Sequence, residues 1–184
     1  MQRLAPSARR DQYGSRINRA KSPIREYCTP YASIMLASLV PFLFLADVMP
    51  FVPPLGFMFL IGWRIMRPGV LPLWVGVPLG AFNDLYSGQP FGSGIFLWSL
   101  AMIGLEALES RFPWRGFWQD WFTAGLVVIM YILAAMVVSG ATLSVHLLLA
   151  TLPQILTSIL VYPLVSRIIA SLDRFRLSRS RRIG

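Results

Sequence analysis

The sequence predicts an all-α integral membrane protein of about six transmembrane helices, with both termini in the cytoplasm. Composition is the first observation behind this. Of 184 residues, 55% are hydrophobic and only 14% charged, too apolar a balance for a soluble domain of this length. The second is the placement of the 17 basic residues. Seven precede the first apolar run, Arg64 and Arg67 lie between the second and third, Arg111 and Arg115 between the fourth and fifth, and six follow the core of the sixth. The loops after runs one, three and five hold no Lys or Arg. Basic loops stay on the cytoplasmic side, so an even number of spans with both termini inside satisfies the rule throughout. The third is an aromatic belt: Phe112, Trp114, Phe117, Trp118, Trp121 and Phe122 surround the Arg111–Arg115 loop, and Trp63 and Trp74 flank the other basic loop, as interfacial anchors do.

Residues 1–30 are rich in Arg, Ser and Pro and read as a basic, disordered cytoplasmic tail. A mitochondrial transit peptide shares that composition, but Pro6, Gly14 and Pro23 interrupt an amphipathic helix. The apolar run that follows lacks an A-x-A site, since Phe44 stands two positions before Ala46, so the first span is read as an uncleaved anchor. The membrane domain is 31–172. Its first span is Tyr31–Ala46, ended by Asp47 and by Pro50, Pro53 and Pro54. The second, Leu55–Trp63, needs its flanks to approach the roughly 20 residues that cross a bilayer, so it is tilted, thinned around or partly re-entrant. The third runs from Val70 to about Tyr86, the fourth over Phe91–Leu108 and the fifth over Trp118–Val138. The sixth, Leu143–Ile169, contains Pro153 and Pro163, which requires neighbours to satisfy the carbonyls those prolines free. A second basic tail occupies 173–184.

The formal net charge of +9 would suggest nucleic acid if it formed one folded patch. It sits at the two ends instead, which favours anionic lipid and argues against nucleic acid. Cys28 is the only cysteine and His146 the only histidine, so no disulfide, no cysteine-based metal site and no Ser-His-Asp set is predicted. No phosphate-cradling loop and no cofactor motif is present. Glu106 and Glu109 share a helix face close to Arg111 and read as snorkelling to the inner interface with local ion pairing. Asp47 reads as a hydrated residue at an outer helix end, and His146 as a cap or interface residue.

Specific demands concentrate in Pro78–Gly94, PLGAFNDLYSGQPFGSG, a polar hairpin between two apolar runs. Counted from Val70 at about 1.5 Å per residue, Asp84 lies about 21 Å into a core roughly 30 Å thick. A carboxylate there costs about 2.5 to 3.5 kcal/mol unless it meets partners. Two readings coexist: Asp84 caps local amides or the start of the fourth span, or it faces a partner. At steps of four, Gly76, Gly80, Asp84, Gly88 and Gly92 would form one stripe on a continuous helix, a face that a second backbone can approach closely.

Pro78–Gly92 reads P-L-G-x-x-x-D-L-x-S-G-x-P-x-G, and in a six-span chain with a proline-containing last span it resembles the MreD family of bacterial rod-shape-determining membrane proteins. Gly80, Asp84, Leu85, Ser87, Gly88 and Gly92 match as a set, and the likeness covers about residues 31–172. The resemblance implies a non-enzymatic scaffold in the cytoplasmic (inner) membrane, part of the elongation machinery that builds lateral peptidoglycan. Its implied partners are an MreC-like bitopic protein and, indirectly, an MreB filament, a RodA-type glycosyltransferase and a penicillin-binding transpeptidase. The partner-binding residues on this reading are Gly76, Gly80, Asp84, Gly88, Pro90 and Gly92. The family has been compared with the six-helix substrate-binding subunits of energy-coupling-factor transporters. That supplies a second hypothesis: a carrier subunit holding a small molecule under the outer loops, with Asn83, Asp84, Gln89 and Trp98 as contacts.

Overall fold

The shortest of the full spans expected from the sequence forms the centre of the molecule. A computed structural model describes residues 23–43, 52–111, 116–141 and 144–177, which contain six α-helices, a 3-10 turn and no strand. The helices are α1 (Pro23–Leu43), α2 (Leu55–Met66), α3 (Gly76–Asp84), α4 (Ser93–Arg111), α5 (Phe117–Val138) and α6 (Val145–Leu177). In contact order α1, α3, α4, α5 and α6 close a ring, and α2 packs inside it against α1, α4, α5 and α6. Ten of the twelve residues of α2, Gly56 to Ile65, are buried. At about 1.5 Å per residue α2 is only about 18 Å long, so it is a core helix wrapped by its neighbours. Its register is fixed by prolines: Pro53 and Pro54 bar an earlier start, and their carbonyls accept the Leu55 and Met58 amides at 2.8 and 3.0 Å.

Two helices, α5 and α6, are long and apolar enough to cross a membrane by length and composition. Large apolar side chains stay exposed along α6, among them Leu149, Leu156, Leu160 and Leu164, the pattern of a helix facing hydrocarbon on one side. Several boundaries differ from the sequence expectation. The first helix begins at Pro23, where proline at a first helical position leaves no amide unsatisfied. The third is shorter than Val70–Tyr86. A 3-10 turn over Leu73–Val75 leads into α3, because Gly69 holds a φ of +87° and Pro68 and Pro72 prevent a continuous helix through the turn. The last helix runs on to Leu177. Asp47, the tails beyond 23–177, and Phe112, Trp114 and Arg115 of the expected belt lie outside the described residues.

Pro163 in α6 removes the amide that would have bonded to the Ile159 carbonyl one turn earlier. The indole N–H of Trp121 on α5 donates to that carbonyl at 3.1 Å. Trp121 is therefore more than the interfacial anchor expected of it: it supplies across the helix pair the donor that Pro163 lacks. Nearby hydroxyls serve the proline turns locally, Thr157 donating to the Pro153 carbonyl at 2.9 Å and Ser166 to that of Pro163 at 2.9 Å.

The Trp121–Ile159 bond has a measurable signature. Trp121→Phe should destabilise the folded protein by about 1 to 3 kcal/mol in reversible unfolding, the range for a buried acceptor left alone, while Trp118→Phe, on an exposed residue, should be near neutral. In a Pro163→Ala background the restored amide fills the carbonyl, so Trp121→Phe should then cost less than half as much. Strict additivity of the two substitutions would rule the link out.

Candidate functional site

At one end of the bundle, the loop end, α3 stops at Asp84 and the chain returns as α4 from Ser93. The Asp84 side chain is buried, with 6% of the residue exposed. Its Oδ1 accepts the Gly94 amide at 2.7 Å and the Ser93 hydroxyl at 3.4 Å. Its Oδ2 accepts the Gly92 and Ile95 amides at 2.9 and 3.3 Å. The first amides of a helix have no partner within it, and the helix start carries partial positive charge. Asp84 thus caps α4 from the preceding helix, so the capping reading of the hairpin holds.

Glycines make that cap possible by letting α3 lie against α4. A Cβ at Gly80 would stand 2.6 Å from the Gly94 carbonyl oxygen, and one at Gly76 would stand 2.9 Å from the Ser99 Cα. Gly76 and Gly80 therefore face the backbone of α4 within the same chain. The continuous five-residue stripe does not form, because the helix ends at Asp84. Gly88 and Gly92 sit in the following loop with φ of +67° and +99°, a region that residues with a Cβ rarely occupy. The Pro90 carbonyl accepts the Ser93 amide at 3.0 Å, and the Asn83 carbonyl accepts those of Tyr86 and Ser87 at 3.1 and 2.9 Å. The six residues singled out in the sequence thus divide: Gly76, Gly80 and Asp84 hold the hairpin shut, while Gly88, Pro90 and Gly92 shape its loop. Leu85 and Phe91 flank that loop, 67% and 71% exposed.

Beside the hairpin lies a cavity of about 780 Å³, lined from α1, the entry to α2, the α3–α4 loop, α5 and α6. Asn83 and Gln89 line it, and Asp84 and Trp98 are outside the lining. Trp98 is fully buried behind it and packs on Phe57 with ring centroids 6.0 Å apart. Phe57 in turn stacks on Tyr131 at 4.0 Å, and Tyr131 forms part of the cavity wall.

The opposite end, the arginine end, carries charge pairing that the sequence reading assigned differently. Glu106 and Glu109 on α4 both pair with Arg64 of α2, Glu109 at 3.0 Å. The Arg64 side chain is only 4% exposed. Asp173 of α6, placed by sequence in the terminal tail, is buried and pairs with Arg67 at 2.7 Å and with Arg176 at 2.8 Å. The Arg176 guanidinium also lies over the Trp63 ring, 5.7 Å from its centroid. The i, i+3 spacings of Glu106 with Glu109 and of Asp173 with Arg176 were the signal that these charges share helix faces. Among the described residues no group of three or more His, Cys, Asp or Glu could hold a metal ion.

Substitutions at Asp84 should separate capping from bulk. Asp84→Asn leaves one accepting oxygen for four donors and should cost about 1 to 3 kcal/mol in unfolding experiments; Asp84→Leu should cost more. In both, hydrogen exchange should accelerate at the Gly92, Gly94 and Ile95 amides before it does in α6. Unchanged protection at those three amides would contradict the cap.

The chain matches no curated protein and no solved structure. Residues 28–174 match the family model described as rod shape-determining protein MreD, a stretch that takes in α2 to α5 whole and all but the extreme ends of α1 and α6. With the Asp84 hairpin and nearly all of the six-helix bundle inside the matched region, the chain belongs to the MreD family of rod shape-determining membrane proteins.

Proposed function

We propose that this chain is a non-enzymatic scaffold of the rod-shape machinery in the cytoplasmic (inner) membrane, crossing it six times with both termini inside. It binds an MreC-like bitopic protein directly. Through that protein it works with an MreB filament, a RodA-type glycosyltransferase and a penicillin-binding transpeptidase in lateral peptidoglycan synthesis. Family membership supports the role in rod shape. The observation that carries the scaffold reading is the capped hairpin: Asp84 and the glycine contacts give the loop a fixed form that presents Leu85 and Phe91 outward. A rigid loop with exposed apolar side chains suits docking at low entropic cost. The six-span topology is supported by the segregated basic residues and by the grouping of Arg64, Arg67 and Arg176 at the end of the bundle opposite that loop. The basic tails then face the anionic leaflet.

A small-molecule-binding subunit of a membrane transporter is the second reading. The cavity beside the hairpin, with Asn83 and Gln89 in its wall, favours it.

Topology is tested with alkaline phosphatase fusions in a bacterial host. Fusions at Asp47, Gln89 and Ser144 should be active, and those after Gly69, Gly116 and Gly184 inactive. Activity at Gly116 would break the six-span arrangement.

Partner binding is read by co-purification with the bitopic protein at matched membrane levels. Phe91→Glu and Leu85→Glu should lower recovery of the partner at least fivefold while the protein accumulates normally. Gly80→Leu should instead lower the amount of protein itself, because its side chain collides with the α4 backbone. Full partner recovery by both loop variants would remove the loop from the interface.

A further inference from the structure

The cavity at the loop end has a volume of about 780 Å³, within the roughly 300 to 1,000 Å³ typical of small-molecule sites. Its walls are of two kinds. Asn83, Gln89, Ser139 and Gln154 contribute amides and hydroxyls, whereas Phe42, Ile132 and Met136 contribute apolar surface. None of its lining residues is Asp, Glu, Lys, Arg or His. Asp84 is outside the lining and spends both oxygens on the start of α4.

Part of the polar wall is already engaged, and this fixes what remains. Gln154 Nε2 donates to the Val52 carbonyl at 3.1 Å, which leaves its own carbonyl oxygen to accept. The one Ser93 hydroxyl proton is shared between Asp84 Oδ1 and Gln89 Oε1, at 3.4 and 3.3 Å, which leaves the Gln89 amino group to donate. The half-buried Asn83 side chain has no partner among the described residues, so it offers both. A phosphate or carboxylate would meet no cation among the described lining residues, and desolvating a charge without a counter-charge is unfavourable. A hydroxyl or amide finds donors in Gln89 and Asn83 and acceptors in Gln154 and Asn83. The apolar wall would leave a purely polar solute with an unmatched flank.

We infer that this cavity binds an uncharged amphiphile, its hydroxyl- or amide-bearing head held by Asn83, Gln89 and Gln154 and its apolar body lying against Phe42, Ile132 and Met136. The inference rests on the cavity and not on the scaffold reading, and its readout is ligand retention, not cell shape or partner recovery.

The test uses the full-length protein in nanodiscs that contain equal fractions of monoglucosyl-diacylglycerol and phosphatidylglycerol with the same acyl chains, followed by native mass spectrometry. The glucolipid should be retained at least fivefold over phosphatidylglycerol. Asn83→Leu, which removes the free amide, and Ala135→Phe, which fills the cavity from its apolar side, should each lower glucolipid retention at least fivefold with the protein still folded. If one variant fails to fold, the other decides. Octyl glucoside should displace the bound lipid at concentrations where methyl glucoside does not. Four results would each overturn the assignment: no lipid retained, phosphatidylglycerol retained equally or better, glucolipid retention indifferent to the folded variants, or displacement by methyl glucoside as effective as by octyl glucoside.

Discussion

A single carboxylate settles two liabilities at once. A buried acid needs hydrogen-bond donors, because ionised groups are costly to remove from water, and a helix start needs acceptors for amides that have no intrahelical partner. Asp84 and the beginning of α4 are each other's solution, with three backbone amides and one hydroxyl turned onto two oxygens. The geometry tolerates little bulk. Gly94 must bring its backbone against the carboxylate, and Gly80 must let the α4 backbone pass at a distance no side chain would allow. The loop shape, the α3–α4 contact and one wall of the cavity all follow from that placement.

The same accounting of backbone groups governs the rest of the bundle. The α2 helix alone is shorter than roughly 30 Å of hydrocarbon, yet its ends are not left to lipid. At its entry the Val52 carbonyl receives Gln154 of α6, and at its exit Arg64 meets two glutamates of α4. Next to Arg64, Trp63 donates its indole N–H to the Ser33 hydroxyl of α1 at 2.9 Å. A helix packed against four others can be short because protein, not lipid, surrounds its termini. Proline in α6 is accommodated by the same means, with Trp121 standing in for the missing amide.

The helical class and the number of helices were legible in the sequence because apolar runs and proline clusters are local signals. Asp84 as a cap was legible in part: Ser93 and Gly94 stand close enough in sequence for a hairpin to bring their donors to it. The stripe misled where it assumed a helix through Gly88, since period-four spacing cannot distinguish a helix face from a loop that needs glycine for positive φ. What could not be read were pairings between distant segments. Arg64 with Glu106, Arg67 with Asp173 and Trp121 with the Ile159 carbonyl join residues 42, 106 and 38 apart. Only the ring order of the helices brings them together, and no local periodicity encodes that order. Asp173 looked like part of a basic tail because its charge context was basic; its burial comes from α6 continuing past the membrane-grade run.

Charge in this protein is divided between a balanced bundle and unbalanced ends. At the arginine end Arg64, Arg67 and Arg176 face Glu106, Glu109 and Asp173, three cations against three anions, so the cluster itself is neutral. Extended to all described residues, seven arginines stand against six acids, a net of +1. The remainder of the chain's +9 comes almost entirely from residues 1–22 and 178–184, which carry nine basic residues and one acid. Pairing within the bundle removes the desolvation penalty of isolated buried charges, and it also removes any long-range field from the helices themselves. On the proposed placement, electrostatic attraction to an anionic membrane surface, about 1 kcal/mol per basic residue near the surface, comes from the two terminal segments. Arg64, Arg67 and Arg176 are thereby committed to packing within the bundle, and the chain's net positive charge is carried by its ends.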